Sequence, residues 1–182
     1  MALAIGRHTL GAENASLEVR TYREGVAAKV GHDLVLAVTR WEAIVDLAAE
    51  PAPSSVELTA DARSLEVREA LGGLKPLTAG DRDEIRRNID GKVLQGRPIG
   101  FRSTAVRLLE GDTQLAVEGA LTIAGSTRPI AVTLGLDADG NLRGTIGIRQ
   151  SDWGIKPYRG MLGALRVRDE VELAIAARLP PS

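Results

Sequence analysis

Between Leu115 and Ile148 the chain alternates apolar and other residues with few interruptions. Leu115, Val117, Gly119, Leu121 and Ile123 share one parity. Ile130, Val132, Leu134 and Leu136 share the next, after Gly125-Ser126-Thr127-Arg128-Pro129. Leu142, Gly144, Ile146 and Ile148 form a third run beyond the turn at Asp137-Ala138-Asp139-Gly140-Asn141. Side chains of a strand point to opposite faces with a period of two, so each run has one apolar and one wetter face. Three such runs joined by turns predict an antiparallel meander.

The same pattern continues on both sides. Leu17, Val19 and Thr21 open a strand that ends near Glu24-Gly25, and Ala28, Val30, His32, Leu34, Leu36 and Val38 share one parity in the next. Past Thr39-Arg40 the apolar set changes phase to Trp41, Ala43, Val45 and Leu47, which predicts a bulge or a turn between two paired strands. Pro51-Ala52-Pro53-Ser54 reads as a loop, Val56, Leu58 and Ala60 as a strand that Ala62–Val67 extends. Ile99, Phe101, Ser103 and Ala105 resume the alternation, Val106 and Leu108 shift its phase, and Val171, Leu173, Ile175 and Ala177 form the last strand. One helix interrupts the series. Asp81 with Glu84 resembles a capping box, Ile85 and Ile89 share a face, Arg86 and Arg87 suit the C-terminal dipole, and Gly91 marks the stop. About eight strands and one short helix without a βαβ rhythm predict an all-β domain over residues 1–182, a closed antiparallel barrel or a sandwich.

Composition narrows the function classes. A net charge of -1 without a Lys/Arg block argues against a nucleic-acid binder. Hydrophobic residues make up 44% but aromatic ones only 3%, with Phe101 the sole Phe; such a core lacks rings to plug a barrel and is compatible with a hollow interior. There is no Cys, so thiol chemistry and disulfides are excluded. With His8 and His32 the only histidines, a His-rich metal site is unavailable. No segment approaches a membrane span, and Ala2-Leu3-Ala4-Ile5 is too short for a signal peptide, so the expectation is a soluble, cytoplasmic protein.

Six segments, in order, resemble the YceI-like family of lipocalin-like, polyisoprenoid-binding barrels. They are Lys29-Val30-Gly31-His32, Val56 through Ser64, Asp81-Arg82-Asp83, Pro98-Ile99-Gly100-Phe101-Arg102-Ser103-Thr104, Gly119–Gly125 with Arg128-Pro129-Ile130, and Ser151-Asp152-Trp153-Gly154-Ile155. The resemblance covers nearly the whole chain. It implies an extended antiparallel barrel that holds a long apolar chain in its lumen, as in relatives that are often periplasmic, and a binding protein rather than an enzyme. Three departures stand out: Gln150 where the family usually carries Arg before Ser-Asp, Lys92-Val93-Leu94 in place of an aromatic pair after the helix, and no export signal.

These readings converge on a carrier or sequestering (transport or storage) protein for a hydrophobic small molecule, an isoprenoid chain or isoprenoid quinone, with no other cofactor. Val117, Leu121, Ile123, Val132, Leu134, Ile146, Ile148, Val171 and Leu173 are expected to line the tunnel with Phe101, while His32 and Gln150 meet the polar end. Trp153 and Tyr158 are expected to form a lid with Met161 and Leu162. The amide of Gln150 favours a neutral head group, since Arg would suit phosphate better. A backbone-bonded His32 and a strand-capping Gln150 are the structural alternatives. At the level of function two alternatives stay open: an enzyme with His32 as acid or base, and an interaction module packed shut. Homodimerisation through an outward strand is a further expectation from the resemblance.

Overall fold

A computed structural model describes residues 4–49, 53–109, 111 and 113–180. The loop expected at Pro51-Ala52 and the N-terminal Ala2-Leu3 lie outside the described residues. The strands are β1 (Gly6–Gly11), β2 (Ala15–Thr21), β3 (Arg23–Glu24), β4 (Asp33–Val38), β5 (Trp41–Leu47), β6 (Ser55–Ala60) and β7 (Leu65–Leu71). After α1 (Ala79–Asn88) come β8 (Ile99–Leu108), β9 (Gln114–Ile123), β10 (Ser126–Leu136), β11 (Asn141–Arg149), β12 (Arg159–Gly160), β13 (Leu165–Val167) and β14 (Glu170–Arg178).

Eleven of these form one curled sheet in the order β1-β5-β6-β8-β9-β10-β11-β14-β2-β4-β7, every pairing antiparallel; β12, β13 and β3 form a small second sheet. The strand count exceeds the expected eight because the expected runs 17–24 and 56–67 are each broken in two, and because β1, β12 and β13 lie in segments where no strand was expected. The phase flip at Thr39-Arg40 is a corner: β4 and β5 are successive halves of one run and do not pair with each other. β4 lies between β2 and β7, and β5 lies between β1 and β6. The chain itself passes from one side of the curled sheet to the other through this corner, and the sheet wraps around one interior.

The corner is stitched by polar groups. The Thr39 amide donates to the Ser64 carbonyl at 2.9 Å, the Asp61 amide to the Arg40 carbonyl at 3.0 Å, and the Arg40 guanidinium meets Asp61 at 3.0 Å. Ser64, only 1% exposed, donates its hydroxyl to the Asp61 carbonyl at 2.8 Å. Residues Ala62–Ser64, expected as strand, form a 3-10 turn that Asp61 caps.

Two further expectations need correction. Residues Ala28–Val30 form a 3-10 turn rather than strand, so β4 starts at Asp33, just after His32. The helix is capped by a Thr78–Asp81 box, not by Asp81 with Glu84, because the Thr78 hydroxyl accepts from the Asp81 amide while Asp81 accepts from the Thr78 amide. Those hydrogen bonds hold the Asp81 carboxyl below its usual pKa. Gly91 does not end it either: the helix runs on as a π-helical turn, Ile89–Leu94, and stops at the left-handed Gln95.

The meander holds with one qualification. β9 and β10 pair along ten positions around a two-residue turn, Ala124-Gly125, whose φ values are 49° and 81°. β10 and β11 pair only at Gly135–Leu136 with Leu142–Arg143 and then part. Pro129, which has no N–H, is tolerated in β10 because that edge is left unpaired. The 3-10 turn after β11, Gln150–Trp153, bridges the parting: the Trp153 indole donates to the Leu121 carbonyl at 2.9 Å and Arg128 Nε to the Asp152 carbonyl at 2.9 Å.

Candidate ligand-binding lumen

The inward parity of the strands converges on a single cavity of about 810 Å³, within the roughly 300–1,000 Å³ typical of small-molecule sites. Its depth is aliphatic. β2 contributes Leu17 and Val19, β4 Leu34 and Leu36, β5 Ala43 and Val45, β6 Val56 and Leu58. The remaining wall comes from β8 to β11 and β14, and of the site residues expected from the sequence all but Met161 and Leu162 reach the lining. Val117, Leu121, Ile123, Val132, Leu134, Ile146, Ile148, Val171 and Leu173 form that wall, with the Phe101 ring beside Leu121 and over Gly119. Gly119 sits at an inward position because a Cβ there would strike the Phe101 ring and the Arg102 carbonyl. One end is sealed by Leu47, Leu136 and Leu179, the last 0% exposed.

Polar side chains gather at the other end. Arg23, His32, Asp81, Glu84, Asn88, Gln150, Tyr158 and Arg166 all border the cavity where β2, β4, the helix and the 150–169 connection meet. Several of them are already engaged. The backbone N–H of Arg23 donates to Asp33 at 2.8 Å, and its guanidinium donates to the Gly31 carbonyl.

His32 Nε2 lies 2.9 Å from the Lys75 carbonyl. A carbonyl can only accept, so that nitrogen carries the proton. Its ring lies on Gly73, where φ is +74° and any Cβ would overlap the imidazole. Asp33, engaged with Arg23, does not pair with His32.

Gln150 borders the lumen from a buried position, and its amide nitrogen donates to the Arg168 carbonyl at 2.9 Å. It pins the turn to the returning chain rather than standing free at the rim. Trp153 is 4% exposed and belongs to the wall. Met161 and Leu162, expected in a lid, point outward instead. Tyr158 faces the cavity, with Lys92 Nζ 5.9 Å from its ring centre.

The sequence reading missed the helical side of the mouth. Leu74, Leu77, Ile85, Ile89 and Val93 all line the cavity. The spacing of Ile85 and Ile89 signalled an apolar stripe, but the strand pattern alone did not say that this stripe covers the barrel. Asp169 was also missed; it accepts from the Ser151 amide at 2.8 Å and from the Ser151 hydroxyl, fixing the Ser151-Asp152-Trp153-Gly154 turn.

A curled antiparallel barrel with one apolar lumen, closed at one end and polar at the other, defines a lipocalin-like binding barrel. The YceI-like domain model matches residues 14–179, and the chain belongs to that family. No curated protein matches the chain by sequence. Among solved structures, Burkholderia cenocepacia BcnA superposes with a TM-score of 0.65 at 16% identity, over 89% of this chain and 94% of that one. The Campylobacter jejuni YCEI protein superposes with a TM-score of 0.55 at 13% identity, over 84% and 85%. At such identities the likeness is one of fold. Family and lumen together support a hydrophobic ligand-binding role for the barrel.

Proposed function

We propose that the protein carries or sequesters an elongated hydrophobic molecule, an isoprenoid chain or isoprenoid quinone, in the barrel lumen with its polar end at the mouth. The observation that carries this reading is the polarity gradient of the lumen: aliphatic through its depth, with polar side chains only where it meets the helix and the connections at the mouth. An apolar chain transferred from water into that depth gains about 0.8 kcal/mol per buried methylene, less the cost of ordering it.

The hollow interior disfavours a module packed shut. Binding rather than catalysis is further supported by His32, whose Nε2 proton is committed to the Lys75 carbonyl, and by Asp33, whose carboxylate serves Arg23. The Gln150 amide nitrogen is spent within the fold, so the choice between a neutral and a charged head group does not rest on it.

Solvent extraction of natively purified protein, followed by mass spectrometry, tests the reading. A long-chain isoprenoid recovered in proportion to protein supports it. Protein that carries no lipid and takes up none from a dispersed isoprenoid quinone contradicts it.

A further inference from the structure

Three connections surround the mouth: residues 22–32, 72–78 and 150–169. They interlock through the Ala27 amide on the Ala164 carbonyl at 2.9 Å, Arg23 on the Leu71 carbonyl, and His32 on the Lys75 carbonyl. Their tips are apolar and stand in water. Val26 is 95% exposed, Leu74 73%, Met161 60% and Leu162 110%, with Leu71 and Val30 beside them. The other large hydrophobic side chains exposed among the described residues, Ile5, Leu108 and Leu109, lie toward the closed end.

Met161 and Leu162 both hold left-handed backbone, φ 48° and 55°, a conformation that costs a non-glycine residue energy. The fold therefore spends local strain on presenting two hydrophobic side chains outward.

The same connections are cationic. They carry seven Lys or Arg against Glu24, Asp152 and Asp169, in a chain with 23 basic and 24 acidic residues overall. Glu24 is taken by Arg166, while Lys29, Lys75, Lys156 and Arg159 form no ion pair among the described residues.

We propose that this rim docks the barrel mouth-down on an anionic lipid bilayer. Val26, Leu74, Met161 and Leu162 enter the interfacial zone, and the surrounding Lys and Arg meet lipid phosphates. The pattern suits a membrane better than a protein partner. Separate protruding knobs ringed by cations match a fluid interface that closes around each one, where a protein would have to supply a shaped pocket for each. Docked in this way, the aliphatic lumen opens onto the acyl region, so an apolar ligand passes between bilayer and barrel without crossing water. This inference rests on the lumen reading for its purpose but not for its test.

The test is flotation of the full chain with vesicles of phosphatidylcholine and phosphatidylglycerol in equal parts, and with phosphatidylcholine alone. Uptake of a lumen-filling apolar fluorophore is measured in solution on the same samples. The expected result is binding to the anionic vesicles that weakens with salt, by about fivefold for Lys29→Gln and by tenfold or more for the paired Met161→Asp and Leu162→Asp variant, at about 1 kcal/mol per interfacial cation and more per lost apolar anchor. Fluorophore uptake stays unchanged in both variants, which shows that they fold.

No binding to anionic vesicles by a protein that takes up the fluorophore overturns docking and leaves the lumen reading intact. Binding that both variants retain overturns it as well. So does self-association of the chain that Met161→Asp and Leu162→Asp abolish without any vesicle binding. Vesicle binding by a chain that takes up no fluorophore supports docking and sinks the lumen reading instead.

Discussion

At the closed end of the barrel Leu47, Leu136 and Leu179 are sealed from water; at the mouth Val26, Leu74 and Leu162 stand in it. The residue types are the same and the uses are opposite. At the floor, aliphatic side chains from β5, β10 and the segment after β14 pack against one another, and their transfer from water is already part of the stability of the fold. In the lumen and at the mouth, comparable side chains face a void or solvent. Val117 and Leu121 are otherwise as buried as Leu47, so only the share of transfer free energy belonging to the surface turned to that void or to solvent is uncollected and becomes available on binding. Stability and function are thus separated along the barrel axis, and substitutions can pull them apart.

The largest expected effect is at the floor. Leu179→Ala should cost about 2–5 kcal/mol in denaturant unfolding, because it removes a fully enclosed side chain and leaves a cavity. The folded fraction should bind an apolar probe unchanged. In the lumen the opposite outcome is expected. Paired Val132→Phe and Ile146→Phe substitutions fill existing space, so stability should change by less than about 1.5 kcal/mol while probe affinity falls tenfold or more. If both regions lost stability and binding together, the separation would be wrong.

Gln150 tests where the two regions meet. Gln150→Leu leaves the Arg168 carbonyl without its 2.9 Å partner and should cost about 1–2 kcal/mol, read by denaturation, with faster release of a bound probe as the 150–169 connection loosens.

The smallest effect lies at the Thr39-Arg40 corner. Hydrogen bonds from the Arg63 amide and guanidinium, joined by Arg40, lower the Asp61 pKa from 3.8 to about 2. A depressed folded pKa contributes stability that is complete above the unfolded value and lost as pH falls through the folded one. The thermal midpoint of Asp61→Asn should therefore lie below that of the parent near neutral pH, and the two should converge below pH 2, which a pH series of melting curves would show.

The walls were legible in the sequence because a strand states its inward face by parity, and parity survives long-range folding. That is why Val117 through Ile148, Val171 and Leu173 follow from the sequence pattern alone. Corners were harder. The phase flip at Thr39-Arg40 was visible, but whether it joined paired strands or bent one run depended on Ser64 and Asp61, more than twenty residues away. Local chemistry also misled at Ala28–Val30, where a strand-like parity forms a 3-10 turn held beneath Leu165 and Arg23. The mouth was least legible. His32 and Gln150 were found by their place in a parity, yet their partners, Lys75 and Arg168, are backbone carbonyls that no residue type announces. Likewise, nothing local says that Met161 and Leu162 face outward, since left-handed backbone at two non-glycine residues is set by the surrounding β12–β13 turn.

The chain has two tryptophans, and only one of them lines the lumen: Trp153 forms part of the wall, while Trp41 is packed in the core outside it. Titration of the full chain with an isoprenoid quinone, followed by tryptophan fluorescence, therefore tests the central claim directly. Occupied lumen predicts saturable quenching at one quinone per chain that persists in Trp41→Phe and disappears in Trp153→Phe. Absence of quenching in the parent protein, or quenching that follows Trp41 instead, would contradict it.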